Sequence, residues 1–136
     1  MRITQALLVG GIAIGLASCT TTPTAPSTAF TSPATETFSS LLNVKGTASR
    51  SFNTHGTGAV SLTLTSTTPS GVVVGIGVGI PRSTGAGCSL TASVNTAAGS
   101  NSQVSVTAET GNYCVQVYDP GTISEPVSFS LSITHP

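Results

Sequence analysis

Val127-Ser128-Phe129-Ser130-Leu131-Ser132-Ile133-Thr134 decides the fold. Apolar and hydroxyl side chains alternate without a break, so four apolar anchors fall on one face of an extended chain and the polar partners fall on the other. A helix would scatter these anchors around its axis. The stretch is therefore a half-buried strand with one wet face.

The same period runs backward through the chain. Tyr113, Val115 and Val117 share one face of the preceding strand, and Cys114, Gln116 and Tyr118 share the other. Gln103 to Ala108 turns Val104 and Val106 inward, and Ala59 to Thr65 does the same with Val60, Leu62 and Leu64. Thr37 to Leu42, Ala48 to Asn53, Val72 to Ile80 and Ser89 to Val94 complete the set. Turn residues separate these runs: Lys45-Gly46, Pro69-Ser70-Gly71 and Glu109-Thr110-Gly111. No segment keeps a helical period. The expected fold class is all-β, a single antiparallel β-sandwich of about eight strands, jelly-roll or Ig-like.

The strand over Val72 to Ile80 has two unlike faces. Val72, Val74, Ile76, Val78 and Ile80 make a bulky one, while Val73, Gly75, Gly77 and Gly79 make one that is nearly bare. Bare glycines let another backbone, a large neighbour or a ligand come close. Two readings follow: a central strand covered on both sides, or a binding groove over Gly75, Gly77 and Gly79.

The N-terminus carries a different pattern. Arg2 supplies positive charge, Ala6 to Leu16 form an apolar stretch, and small residues lead to Cys19, the layout of a secretory signal. The stretch is shorter than the roughly 20 residues of a membrane-spanning helix. Leu16-Ala17-Ser18-Cys19 resembles the bacterial lipobox. That resemblance implies cleavage before Cys19, a lipid on its sulfur and acylation of the new amino terminus, which would tie the protein to a membrane through lipid alone. Thr20 after the cysteine, by the lipoprotein sorting pattern, suggests the outer membrane. Thr20 to Thr35 is a Thr, Pro and Ser tract with nothing to bury, so a disordered, extended stalk is expected. The domain plan is thus a signal peptide over 1–18, a linker over 19–35 and a β-sandwich over 36–136.

With Cys19 assigned to lipid, Cys88 and Cys114 remain as an even pair in an oxidising compartment and are expected to be bonded. A loop of about 27 residues closed in this way stabilises by roughly 3 to 4 kcal/mol in the chain-entropy model.

Charged residues make up only 6% of the chain. Beyond the signal, Lys45, Arg50 and Arg82 stand against Glu36, Glu109, Asp119 and Glu125. Nucleic-acid binding needs clustered cations to displace counterions, and three scattered ones do not supply it. No metal site or cofactor is expected: two cysteines have no histidine at ligand spacing. A hydrolase would need a nucleophile, a base and an orienting acid, and the sequence offers many serines with His55, His135 and Asp119 but no nucleophile elbow. His55 sits in a Thr-His-Gly-Thr-Gly turn and reads as a solvated loop residue. Gly75-x-Gly77-x-Gly79 opens no helix, as a phosphate loop must.

Gly111-Asn112-Tyr113-Cys114-Val115-Gln116-Val117-Tyr118-Asp119, followed by a loop and Val127 to Ile133, resembles the closing hairpin of bacterial pre-peptidase C-terminal domains, small β-sandwiches appended to secreted enzymes and surface proteins. The resemblance spans roughly Glu36 to Pro136, with Ser51-Phe52 and Val60 to Leu64 standing where that family has its first core hairpin. It departs from the family at Gly71 to Ile80, which holds no acid. Calcium wants several carboxylates, so no calcium site is expected.

These observations lead to the expectation of a non-enzymatic, lipid-anchored envelope protein, its partners a membrane through Cys19 and an envelope protein or glycan. The alternative is a surface-displayed carbohydrate-binding domain. Its ligand surface would include Tyr118, the one outward aromatic candidate, with Gln116 and Asp119.

Overall fold

A computed structural model describes residues 32–136. The expected signal peptide, Cys19 and the linker as far as residue 31 lie outside the described residues. Eight strands form: β1 (Ala34–Leu42), β2 (Thr47–Thr54), β3 (Gly58–Thr68), β4 (Val74–Pro81), β5 (Cys88–Thr96), β6 (Val104–Ala108), β7 (Gly111–Tyr118) and β8 (Val127–His135). There is no helix among the described residues, so none is long and apolar enough to cross a membrane.

The strands divide into two four-stranded antiparallel sheets, in the order β1-β8-β3-β6 and β2-β7-β4-β5. We refer to them as sheets A and B. Successive strands alternate between the sheets except at β4 and β5, which pair directly. This is the eight-stranded jelly-roll order, and of the two expected forms the Ig-like one is excluded by it. The expected closing hairpin also does not form. β7 pairs with β2 and β4, while β8 pairs with β1 and β3, so the segment between them crosses from one sheet to the other. β2 and β3 likewise lie in opposite sheets. Alternation in sequence fixes which face a side chain takes, and it is silent about which strand lies alongside.

The core is what the period of two promised. Val127, Phe129, Leu131 and Ile133 of β8 are buried, and they face Ile76, Val78, Val115 and Val117 of sheet B, also buried. Phe38 meets Phe129 edge to face, with ring centroids 5.2 Å apart, a favoured aromatic geometry. Burying one such aliphatic side chain stabilises by roughly 1.5 to 3 kcal/mol.

Several details differ from expectation. β1 begins at Ala34, two residues inside the expected linker, because Ala34 and Thr35 pair with His135 and Thr134. β3 runs on to Thr68, through a register shift between Leu64 and Ser66 that lets it continue along β8. Ile80, expected on the bulky inward face of β4, is 56% exposed. A bulge between Val78 and Gly79 displaces the register with β5, and Ile80 comes after it, at the end of the strand where no core remains to cover it.

The alternation of sheets gives the sandwich two unlike ends. Ala34, His135 and the β2–β3 turn gather at one, the base. The connections β1–β2, β3–β4, β5–β6 and β7–β8 gather at the other, the tip.

Candidate functional site

The outer face of sheet B carries most of the residues singled out in the sequence. Tyr118 and Gln116 point outward from β7, and Gly75, Gly77 and Gly79 lie beside them on β4 as register partners of Tyr118, Gln116 and Cys114. All three glycines are buried. A Cβ on Gly75 would clash with Cε2 and Cζ of the Tyr118 ring, one on Gly77 would meet Leu90 Cδ1 and the Ala92 carbonyl at 2.8 Å, and one on Gly79 would strike the Ser89 carbonyl. The bare strip is therefore filled by the protein's own groups and does not form an open groove. Of the two sequence readings, the covered central strand is the one observed.

Tyr118 is half-buried, with its hydroxyl donating to Asn95 Oδ1 at 3.3 Å. Gln116 Oε1 accepts the Cys88 N–H at 3.3 Å. The Cys88–Cys114 disulfide lies on this same face, at the start of β5, with Cα atoms 5.8 Å apart. The strand pattern places it on the wet side or at a strand end; Cys88 does open β5, and both cysteines are only 2% exposed. By joining β5 to β7 across β4, the bridge and its neighbours shield one another.

Asp119 does not join that surface. It sits at the tip, where Oδ2 accepts the Lys45 N–H at 2.8 Å and Oδ1 accepts those of Gly121 (2.7 Å), Thr122 (3.0 Å) and Ile123 (3.3 Å). The Lys45 N–H foremost, with the other amides, holds its carboxyl below the usual 3.8, against a smaller opposing effect of burial. Lys45 has φ 57°, a left-handed conformation uncommon for a side chain of this kind. The carboxylate thus ties the β1–β2 turn to the β7–β8 loop. Thr122 Oγ1 extends the tie by donating to the Val73 carbonyl at 2.7 Å. Around this braced frame Val44 and Val73 are exposed, with Leu41 close by at the end of β1.

At the other end of β1 a cluster appears that the sequence reading missed. Glu36 occupies an inward-facing position of edge strand β1, paired with Ile133, and Arg50 an inward-facing one of edge strand β2, paired with Val115. Their side chains meet across the gap between the sheets, Nη2 to Oε2 at 3.0 Å, and Arg50 Nη1 donates to the Thr37 carbonyl at 2.8 Å. His135, buried against Phe52 at 5.0 Å between centroids, places Nε2 3.2 Å from Glu36 Oε1 and Nδ1 3.3 Å from the Pro136 carbonyl. A charge at an inward phase of a strand was the available signal: Glu36 precedes Phe38 by two residues, and Arg50 precedes Phe52 by two.

The residues considered for hydrolysis are not brought together. His55 lies exposed in the β2–β3 turn at the base, Asp119 lies at the tip, and the ring nitrogens of His135 meet Glu36 and Pro136 but no hydroxyl. Among the described residues no pocket opens and no group of His, Cys, Asp or Glu could hold a metal ion. The outer face of sheet A is a field of hydroxyls, with Thr35 and Thr134 Oγ1 atoms 3.1 Å apart and Ser39 and Ser130 Oγ atoms 3.0 Å apart. No family model matches the chain, and no curated protein matches it.

Proposed function

We propose that the protein is a lipid-anchored, non-enzymatic component of the bacterial envelope, held by Cys19, whose β-sandwich is an interaction or structural module. One observation carries the reading: the chain enters the sandwich at Ala34, at the base, while the loops braced by Asp119 and the exposed Val44 and Val73 stand at the opposite end. An anchor attached through residues 19–33 joins the sandwich at the end opposite that tip. Loops positioned by a rigid scaffold commonly carry binding residues. The lipobox-like Leu16-Ala17-Ser18-Cys19 supports the anchor, and the disulfide supports an oxidising compartment. The outer membrane is the proposed location. The likeness to pre-peptidase C-terminal domains fits an accessory module.

The test is protease treatment of intact cells, with crosslinking to capture the partner at the tip. Crosslinks through Val44 or Val73 positions to an envelope component support the reading. A protein recovered without any envelope partner, or one that stays soluble with Cys19 unmodified, contradicts it.

A second reading, a surface-displayed carbohydrate-binding domain, draws on the outward Tyr118 beside Gln116. Glycan retention that is unchanged in Tyr118→Ala would remove it.

A further inference from the structure

A two-sheet sandwich has four edges, and here they are β1, β6, β2 and β5. Each edge presents unpaired N–H and C=O groups that another strand can use, and proteins blunt such edges with inward charges, short strands or bulges. Three of these edges are blunted. β1 and β2 each carry an inward charge, Glu36 and Arg50, and Arg50 also occupies the Thr37 carbonyl. β6 has five residues and is followed at once by Glu109.

β5 differs from all of them. It runs for nine residues, Cys88-Ser89-Leu90-Thr91-Ala92-Ser93-Val94-Asn95-Thr96, without a charge or a proline. Its single irregularity is at Thr91, the extra residue between the Gly79–Leu90 and Val78–Ala92 pairs. Beyond it, Ala92 to Thr96 pair regularly with β4 on one side and, among the described residues, with no strand on the other. Val94 has the inward phase, opposite fully buried Ile76, yet is 36% exposed, because among the described residues no strand lies beyond it. The Cys88–Cys114 bond fixes β5 to β7, so the edge is ordered before any partner arrives, which lowers the cost of pairing.

We propose that this edge pairs with β5 of a second copy of the chain, antiparallel over Ala92–Thr96, joining two four-stranded sheets into one of eight. The lack of charge favours a second copy. A two-fold contact sets a strand against itself, so any charge on it would face its own kind; β5 has none. With Val94 opposite Val94 of the other copy, Ala92 stands opposite Thr96, and each valine covers the other. The tips of the two copies then point in opposite directions. On the anchored reading above, a stalk of about 15 residues reaches roughly 45 Å in polyproline geometry. A nine-residue strand is about 30 Å long, so both copies could still be held by one membrane. The pairing itself does not depend on the anchor.

The experiment is sedimentation velocity on the protein as the cell exports it, in detergent, over a concentration series, beside Val94→Lys and Val94→Cys. The wild type forms a concentration-dependent dimer. Val94→Lys raises its dissociation constant at least about tenfold, equivalent to some 1.4 kcal/mol, with an unchanged circular dichroism spectrum. Val94→Cys gives a covalent dimer on mild oxidation, while Ser61→Cys on sheet A does not. A wild type that stays monomeric throughout, or a dimer as tight in Val94→Lys as in the wild type, overturns the proposal.

Discussion

Tyr118 lies across Gly75 of the neighbouring strand, and the absence of a side chain at Gly75 is what seats the ring. A glycine in a central strand costs conformational entropy and offers nothing to pack. Here the aromatic ring supplies the missing cover. Gly75→Ala is expected to destabilise by roughly 1 to 3 kcal/mol, the usual range for overpacking. In a Tyr118→Ala background the same substitution should cost much less, giving a coupling that a double-mutant cycle detects by urea unfolding. Equal costs in the two backgrounds would show that the ring does not occupy the space.

Gly79→Ala should behave differently. The obstacle there is the Ser89 carbonyl at the β4–β5 bulge, and a backbone atom cannot be trimmed away. Truncating neighbouring side chains such as Leu90 should therefore leave the cost of Gly79→Ala unchanged, a result read from the same unfolding curves.

Replacing both cysteines, Cys88→Ala with Cys114→Ala, should lower stability by about 3 to 4 kcal/mol for a bridge of this loop length. The two cysteines are 26 residues apart in sequence. Thiol reductant should reproduce most of the loss in the wild type and have no effect on the double variant.

Asp119 gives the tip a dependence on acid. Its folded carboxyl is held below 3.8, first by the Lys45 N–H, so an unfolded chain takes up the proton at a higher pH than the folded one does. The stabilisation it contributes is complete above about pH 4 and is lost as pH falls through the lowered value. Asp119→Asn cannot accept all four amide protons, and should melt at a lower temperature near neutrality. The gap between the two melting curves should close as pH is lowered below the ordinary carboxylate range.

The Glu36–Arg50 pair is expected to couple weakly. The side chains are 33% and 43% exposed, and pairs of that kind contribute up to about 1 kcal/mol. A double-mutant cycle with Glu36→Gln and Arg50→Met measures it. A much larger coupling would mean that the buried His135 acts with them as one unit.

How far the sequence speaks is clearest at particular residues. Val127 to Thr134 announces strand β8 and its faces, because alternation is a local property of an extended chain. The same rule places Tyr118 and Gln116 together on the outside of β7. It could not show that β7 and β8 belong to different sheets, since partners are chosen by packing between strands far apart in the chain. Nor could it place Asp119, which reads as a neighbour of Tyr118 yet spends its oxygens on four backbone amides of two loops. Those donors carry no signature in side-chain identity. Glu36 and Arg50 were legible in principle, as charges at inward phases of apolar strands, and β1 and β2 being edges is what makes them tolerable there.

The proposed anchor at Cys19 would hold the sandwich by its base. Mass spectrometry of the mature N-terminus, with membrane fractionation of the wild type and Cys19→Ala, tests it most directly. The mature chain should begin at Cys19, carry lipid on the sulfur and an acyl group on the amine, and leave the membrane fraction when Cys19 is replaced. A mature chain that begins elsewhere, or carries an unmodified Cys19 and fractionates identically in both forms, would contradict it.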